Sequence, residues 1–200
     1  LTSLNACFLQ TQNQSPPIRI EGNEREVDRP INRRKADQTI DVRRFDAPLL
    51  EDLVHKEINK LRSKKRRTAL ERDNCLKKAA ELQNDYVLKL GKLTHNQRGK
   101  ERKSVLERSR IFNCRHRMVG ENLQYLGFTM ITQNGKLIRV EAPTYNEAAK
   151  DIAINWKNSS GHYKNLIHTD FFRVGTVAKY DSKKKGIYVT QVFGAVPPEG

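Results

Sequence analysis

The three cysteines of this sequence, Cys7, Cys75 and Cys114, have the most distinctive side-chain chemistry in the chain. No two of them stand at the C-x-x-C spacing from which cysteine zinc sites are built, so we do not expect a zinc site of that kind. Three cysteines are also too few for a disulfide scaffold in 200 residues. The sequence has no phosphate-binding glycine loop and no nucleophile elbow, which excludes two common kinds of enzyme site.

Cys7 follows Leu4-Asn5-Ala6, an order that is similar to the end of a bacterial lipoprotein signal, where the cysteine is acylated. On that interpretation Cys7 is a lipid anchor, the natural chain starts further upstream, and Cys75 and Cys114 remain as one possible disulfide pair. The alternative is that Cys7 precedes an unstructured tail and anchors nothing. The sequence leaves both alternatives open.

The chain is strongly basic, with 38 Lys and Arg against 23 Asp and Glu and a net charge of +15. Such a surface attracts polyanions, including acidic lipid headgroups. Aromatic residues do not interleave with the basic run from Lys60 to Arg67, so the stacking platform of single-strand binders is missing and a nucleic-acid partner is not expected. No apolar run reaches the ~18 residues of a transmembrane helix. We expect electrostatic docking to an anionic envelope polymer or to a membrane surface.

Hydrophobic periodicity predicts three helices and two strand pairs. The first helix begins near Ala47 and ends in the basic run after Arg62, and Asp73 or Asn74 is the expected N-cap of the second. The remaining elements follow from helical spacing, a Thr144-to-Glu147 capping box, an Asn134-Gly135 turn and β-branched runs. They are helices over about 74–90 and 145–157, a hairpin of 128–131 with 136–140, and an antiparallel pair of 173–180 with 187–193.

This order of elements predicts an α+β fold in which helices cover a sheet, in contrast to a doubly wound parallel fold. The N-terminal part is polar and contains Pro16-Pro17, Gly22 and Pro30, so we assign residues 1–44 to an extension or linker. Residues 45–196 are then a single domain. Residues 91–120 form a long basic connection, and connections of that length are usually functional or mobile.

Three segments in the second half of the chain carry a family resemblance. They are Gly120-Glu121-Asn122-Leu123, then Trp156-Lys157-Asn158-Ser159-Ser160-Gly161-His162, then Asn165-Leu166-Ile167. Their order and spacing resemble the CAP superfamily of cysteine-rich secretory, antigen-five and pathogenesis-related proteins, especially its bacterial SCP-like branch. The resemblance implies an α-β-α sandwich with a central antiparallel sheet of three or more strands flanked by helices.

The resemblance also implies a cleft in which histidine and acidic side chains can hold a divalent cation. The matching metal positions are His95, Glu121 and His162, and the other cleft positions are Asn122 and Ser159. Ser159 stands where the family has a second cleft glutamate, so one acidic ligand is replaced. Two imidazoles and a carboxylate with an open position are still a competent zinc set.

Three functions are compatible with these residues. The leading hypothesis is a secreted or envelope-anchored binding protein whose His/Glu cleft holds a small or lipid-like ligand, with or without a cation. The second is a zinc-dependent hydrolase using the same cleft, although no further base or nucleophile can be placed there. The third is a polyanion-binding protein that acts through its basic loops. The sequence favours a binding function over catalysis and an extracytoplasmic location. It does not decide between the three functions.

Overall fold

The computed structural model describes residues 8–11 and 30–195 of the chain; Cys7, and with it the predicted anchor, lies outside these residues. Helices and strands alternate in an irregular order, and a short 3-10 helix spans Lys100–Arg102. The other elements are β1 (Phe8–Thr11), α1 (Arg33–Ala36), α2 (Ala47–Lys64), β2 (Glu71–Arg72), α3 (Asn74–Leu90), α4 (Val105–Ile111), β3 (Met118–Gly127), β4 (Thr129–Gln133), β5 (Lys136–Glu141), α5 (Tyr145–Asn158), α6 (Ser160–Ile167), β6 (Arg173–Asp181) and β7 (Gly186–Ala195).

Within residues 8–11 and 30–195, the main sheet has five strands in the order β1-β3-β7-β6-β2. Strands β1, β3, β7 and β6 pair antiparallel, and only the two-residue strand β2 joins its neighbour β6 in parallel. The predicted pair of closing strands is confirmed as β6 and β7. Strand β3, which the sequence analysis did not assign, runs beside β7 over its whole length from Met118 to Gly127.

Helices cover both faces of this sheet, which confirms the predicted α-β-α sandwich. Successive side chains of a strand point to opposite faces, and β7 shows the two layers clearly. Its Ile187 and Phe193 pack in the core formed with α2, α5 and α6. Its Val192 packs instead with Leu76 and Ala80 of α3. A central strand that is buried on both faces does not show the alternation of apolar and polar residues that marks a half-buried strand. The sequence analysis therefore did not predict β3.

The three predicted helices are confirmed, and local capping explains where they begin. The Asp73 side chain accepts a hydrogen bond from the backbone of Leu76 at the start of α3, and Gly91 ends that helix with a positive φ of 66°. The capping box of Thr144 and Glu147 is present at the start of α5. These contacts satisfy backbone groups that a helix end leaves unpaired.

The predicted hairpin forms as β4 and β5, but the two strands make a sheet of their own beside the main sheet. Asn134 and Gly135 both have positive φ, as a type I′ turn requires. Among the described residues, three helices were not predicted, the short α1, α4 and α6. Each has eight residues or fewer, so it has too few turns to show a clear period.

Packed structure also begins upstream of the predicted boundary at residue 45. Ala36 and Ile40 are buried in the same core as α2 and α5, and the backbone of Ile40 donates a 2.9 Å hydrogen bond to the carbonyl of Pro143. The sequence analysis had placed these residues in the linker because they lie in a polar, charged segment. None of the helices described is both long and apolar enough to cross a membrane.

Candidate functional site

Glu121 of β3 is the centre of the candidate site. It is fully buried, and its neighbour Asn122 is buried as well. Because adjacent side chains of a strand point to opposite faces, Glu121 faces the layer of α3 and α4, whereas Asn122 faces α6. The Gly120-Glu121-Asn122 motif therefore places side chains in both helical layers of the sandwich.

His95 lies in the loop after α3 and contacts Glu121 directly, with 2.7 Å between its Nδ1 and Oε1 of the carboxylate. Two glutamine side chains fix the loop in place. Gln83 of α3 donates to the carbonyl of Thr94, and Gln97 donates to the carbonyl of Leu82 and to the side chain of Gln83. The loop is thus bound to the last turns of α3 on both sides of His95.

Arg108 of α4 completes this group. Its guanidinium is fully buried and donates to the second carboxylate oxygen of Glu121 at 2.6 Å. The same guanidinium donates to the backbone carbonyls of His95, Arg102 and Lys103 at 3.0 to 3.3 Å. One buried cation therefore neutralises Glu121 and also holds the ends of the loop between His95 and α4.

These contacts determine the ionisation of Glu121. Its burial opposes a negative charge, but the Arg108 guanidinium and the hydrogen bond with His95 outweigh that effect, so the pKa of Glu121 lies below its usual value. The carboxylate is ionised at neutral pH and accepts hydrogen bonds at both oxygens. With an ionised acceptor at Nδ1, the His95 ring carries a hydrogen on that nitrogen.

His162 and the remaining predicted residues lie in the other helical layer. The ring centroids of His162 and Trp156 are 6.5 Å apart, and the amide of Asn122 donates to the carbonyl of His162 at 3.3 Å. Asn165 donates both to the side chain of Asn122 and to the carbonyl of Glu121. Ser159 is buried at the junction of α5 and α6. Asn122 therefore connects β3 with α6.

In the predicted zinc set of His95, Glu121 and His162, the Glu121 carboxylate already has two partners. Both oxygens of Glu121 are engaged, one of them by a guanidinium that already supplies a positive charge. Within residues 8–11 and 30–195, no three His, Cys, Asp or Glu side chains are grouped closely enough to hold a metal ion. Zinc binding at these residues stays a prediction.

A shallow concavity with a volume of about 400 Å³ lies next to this group, formed by the loop from Arg98 to Arg102. The backbone N–H of Gln97 donates to the carbonyl of Lys103 at 3.1 Å and closes the loop at its base. The side chains of Arg98, Lys100 and Arg102 are exposed here, with Glu101 as the acidic member. The loop that Arg108 anchors therefore presents an excess of positive charge to solvent.

Arg108 is the important residue that sequence reasoning missed, since it was counted only as one of the basic residues of a long connection. The available signal was the Ser104-to-Glu107 spacing, which is a capping box, and the box is present in the structure. That signal predicts a helix starting at Val105. It does not predict that Arg108 points inward, because its partners are distant in the sequence.

The fold and this arrangement define a sandwich domain with a largely buried histidine–glutamate contact. The sequence matches the family of cysteine-rich secretory proteins, CAP, over residues 55–193. The chain therefore belongs to the CAP family, as the resemblance indicated. A comparison with curated proteins gives no match.

Solved structures with the same fold include three bacterial proteins. An outer surface protein of Borrelia burgdorferi is 19% identical, with a TM-score of 0.59 over 80% of this chain and 99% of its own. An extracellular SCP-domain protein of Bacillus anthracis is 18% identical, with a TM-score of 0.55 over 75% of this chain and 41% of its own. A cysteine-rich secretory protein of Staphylococcus aureus is 12% identical, with a TM-score of 0.53 over 76% of this chain and 40% of its own. The chain thus spans about two fifths of the last two proteins, and these identities show a shared fold alone.

Proposed function

We propose that this protein is an extracytoplasmic binding module that holds a small or lipid-like ligand at its cleft through an anionic group of that ligand. The observation that carries the proposal is the loop from Arg98 to Arg102, which Arg108 anchors to Glu121 and His95. Its exposed basic side chains offer charge-assisted hydrogen bonds to a phosphate or carboxylate. The extracytoplasmic location is supported by the CAP family and by the Cys75–Cys114 disulfide, a bond typical of oxidising compartments.

The same contacts favour binding over hydrolysis. A general base needs an oxygen or nitrogen within reach of the proton it removes. Glu121 has one oxygen on His95 and the other on Arg108, and its lowered pKa makes it a weak base. The zinc-hydrolase alternative needs a cation beside this carboxylate, whose charge Arg108 already balances. The binding function requires neither a base nor a metal.

Calorimetry with two probes tests the proposal: glycerol 3-phosphate, and dihexanoyl phosphatidylglycerol as its lipid-like counterpart. We expect the Arg98→Ala/Arg102→Ala variant to bind at least one of them at least about tenfold more weakly, because the loss of even one charge-assisted hydrogen bond costs about 1.5–3 kcal/mol. Lys150→Ala is the matched control, since Lys150 is an exposed lysine on α5. Equal affinity in the loop variant and in the control would overturn the proposal.

Three additional outcomes separate the alternatives. Zinc titration of the wild type and of the His95→Ala/His162→Ala variant tests the cofactor prediction, because a site-specific heat that the variant loses would establish a metal in the cleft. Probe hydrolysis that depends on His95 and stops with a chelator would replace the binding function by the hydrolase. Tighter binding of the lipid probe than of glycerol 3-phosphate would identify the ligand as lipid-like, because burial of acyl carbons adds affinity.

A further inference from the structure

The hairpin of β4 and β5 carries a concentrated set of exposed apolar side chains. Met130, Ile131, Leu137 and Ile138 are 54%, 37%, 46% and 59% exposed. Elsewhere in residues 30–195, the other large apolar side chains exposed to this degree stand far apart in the sequence, at Leu90, Ile111, Ile154 and Phe172. Exposed apolar residues that occur singly need no explanation, whereas a cluster marks an interaction site. We call the four hairpin side chains the hairpin patch.

The patch is exposed on both faces of the hairpin. Met130 and Ile131 are consecutive in β4, so they point to opposite faces. Met130 pairs with Val140, and the register shifts between Ile131 and Thr132. A folded protein partner with a flat surface would cover one face of a two-stranded hairpin and leave the other in water. The interfacial region of a lipid bilayer surrounds an inserted hairpin and buries both faces.

Three consecutive lysines lie at the base of this hairpin, in the turn between β6 and β7. The backbone N–H of Phe128 donates to the carbonyl of Lys185 at 2.8 Å, and the hydroxyl of Tyr125 donates to the carbonyl of Lys184 at 2.6 Å. Lys183 and Lys184 are exposed, and Lys185 is half-buried. We call Lys183, Lys184 and Lys185 the lysine turn. It lies against the residues that connect β3 with the hairpin.

Positive charge dominates this end of the molecule. The hairpin adds Lys136 and Arg139 to the lysine turn. The nearby carboxylates are Glu141, which pairs with Arg139, and Asp181, which accepts the backbone N–H groups of the lysine turn at 2.8 and 3.0 Å. The five cationic side chains of this region thus outnumber its two carboxylates, and the Lys184 ammonium also donates to the carbonyl of Gly91. An apolar patch beside an excess of lysine is complementary to a bilayer surface of anionic lipid.

We infer that the hairpin patch and the lysine turn dock this protein on an anionic membrane, with the patch among the headgroups and the lysines at the lipid phosphates. The docking goes beyond the proposed function because it uses a different surface. Glu121 and Gly127, at the end of β3 beside the hairpin, are six residues apart, which corresponds to about 20 Å of strand. A bound membrane therefore leaves the loop of Arg98 to Arg102 available for its own ligand.

Sedimentation with lipid vesicles tests this docking. All proteins carry Cys7→Ser, so that no acyl chain contributes, and the vesicles contain phosphatidylcholine with or without phosphatidylglycerol. We expect binding to the anionic vesicles, at least tenfold weaker for Ile131→Ser/Ile138→Ser because two apolar side chains lose their burial. We expect Lys183→Glu/Lys185→Glu to bind at least twentyfold more weakly, since each lysine at an anionic surface contributes about fivefold.

Two controls make the result specific. Ile154→Ser removes an isoleucine of α5 that is 51% exposed and lies outside the hairpin, and it should bind like the wild type. Arg98→Ala/Arg102→Ala tests the loop of Arg98 to Arg102 separately. Loss of probe binding in this variant, with vesicle binding intact, distinguishes the proposed function from the membrane docking. Circular dichroism checks that each variant remains folded. If the protein does not sediment with anionic vesicles, or if Ile154→Ser loses binding equally, the membrane docking is overturned. The hairpin patch would then be assigned to a protein partner.

Insertion of the hairpin has its own reporter. Ile138→Trp adds an indole at the patch, while the native Trp156 is fully buried and remains away from the lipid. Brominated acyl chains quench an indole that enters the bilayer, so we expect quenching in Ile138→Trp and none in the wild type. Vesicle binding without quenching in Ile138→Trp would show that the protein sits on the surface by charge alone and would overturn insertion of the patch.

Discussion

At the residue scale, the Arg108 guanidinium places a buried positive charge directly against the Glu121 carboxylate. Ion pairs that are fully buried contribute little net stability when both partners are exchanged for apolar residues, but loss of one partner leaves an uncompensated charge. Arg108 also satisfies three backbone carbonyls of the loop. The pair therefore matters for the shape of the site more than for the total stability of the fold.

A double-mutant cycle on this pair tests that interpretation. We expect Glu121→Gln and Arg108→Met each to lower the free energy of unfolding by about 3–5 kcal/mol, because each leaves a buried group without its partner. The double variant should be more stable than the sum of the two losses predicts. Urea denaturation measures all three, with Glu101→Gln, an exposed loop residue, as the control within about 0.5 kcal/mol. Additive losses would contradict a direct coupling.

The lowered pKa of Glu121 gives the same pair a defined pH dependence. A carboxyl whose pKa is lower in the folded state stabilises the protein above its unfolded pKa, near the ordinary value of 4.5, and the contribution is lost as the pH falls through the folded pKa. We therefore expect the stability difference between the wild type and Glu121→Gln to shrink as the pH is lowered from about 6 to about 3. A difference that is constant over this range would show that folding does not lower the pKa of Glu121.

At the element scale, the Cys75–Cys114 disulfide holds the start of α3 against the residue that follows the turn after α4. The two cysteines are 39 residues apart, and the segment between them contains both His95 and Arg108. In the chain-entropy description, a cross-link over a loop of this length stabilises the folded state by about 4 kcal/mol. It restricts the same loop that forms the cationic concavity, so the disulfide supports the site as well as the fold.

Reduction of this disulfide should therefore have two effects. We expect Cys75→Ser/Cys114→Ser to unfold at lower urea concentration, by an amount equivalent to about 2–4 kcal/mol, and to bind the phosphate probes more weakly than the parent. Both proteins carry Cys7→Ser, so that no other thiol can exchange. Unchanged probe affinity together with a lower unfolding midpoint would show that the loop is held by Arg108 and the glutamine contacts alone.

The elements also show what the sequence determines locally. The helices α3 and α5 were predicted nearly to the residue because their caps, Asp73 and Thr144, lie next to the helices they begin. Strand β3 was missed because it is buried on both faces, and α4 because it is short. The contact of His95 with Glu121 was anticipated only through the family resemblance, since the spacing of two distant residues gives no geometry. Arg108 was not anticipated because nothing near it in the sequence marks it as buried.

At the scale of the whole molecule, the net charge of +15 raises the question of whether polyanion binding depends on either proposed site. Exposed charges act over roughly one Debye length, about 10 Å at 0.1 M salt, so a diffuse basic surface attracts a sulfated polymer without a specific contact. The His95 side chain is 10% exposed and contacts Glu121, so it adds little to that surface field.

Heparin-resin chromatography separates these possibilities. We expect the wild type and His95→Ala to elute together at a salt concentration well above about 0.1 M, where screening removes the long-range attraction. Lys183→Glu/Lys185→Glu should elute earlier because it changes the net charge by four, while Ile131→Ser/Ile138→Ser should elute with the wild type. An earlier elution of His95→Ala would contradict a diffuse surface effect and assign polyanion binding to the cleft. Retention that depends on the isoleucines would instead identify the hairpin as a general binding surface that does not require lipid.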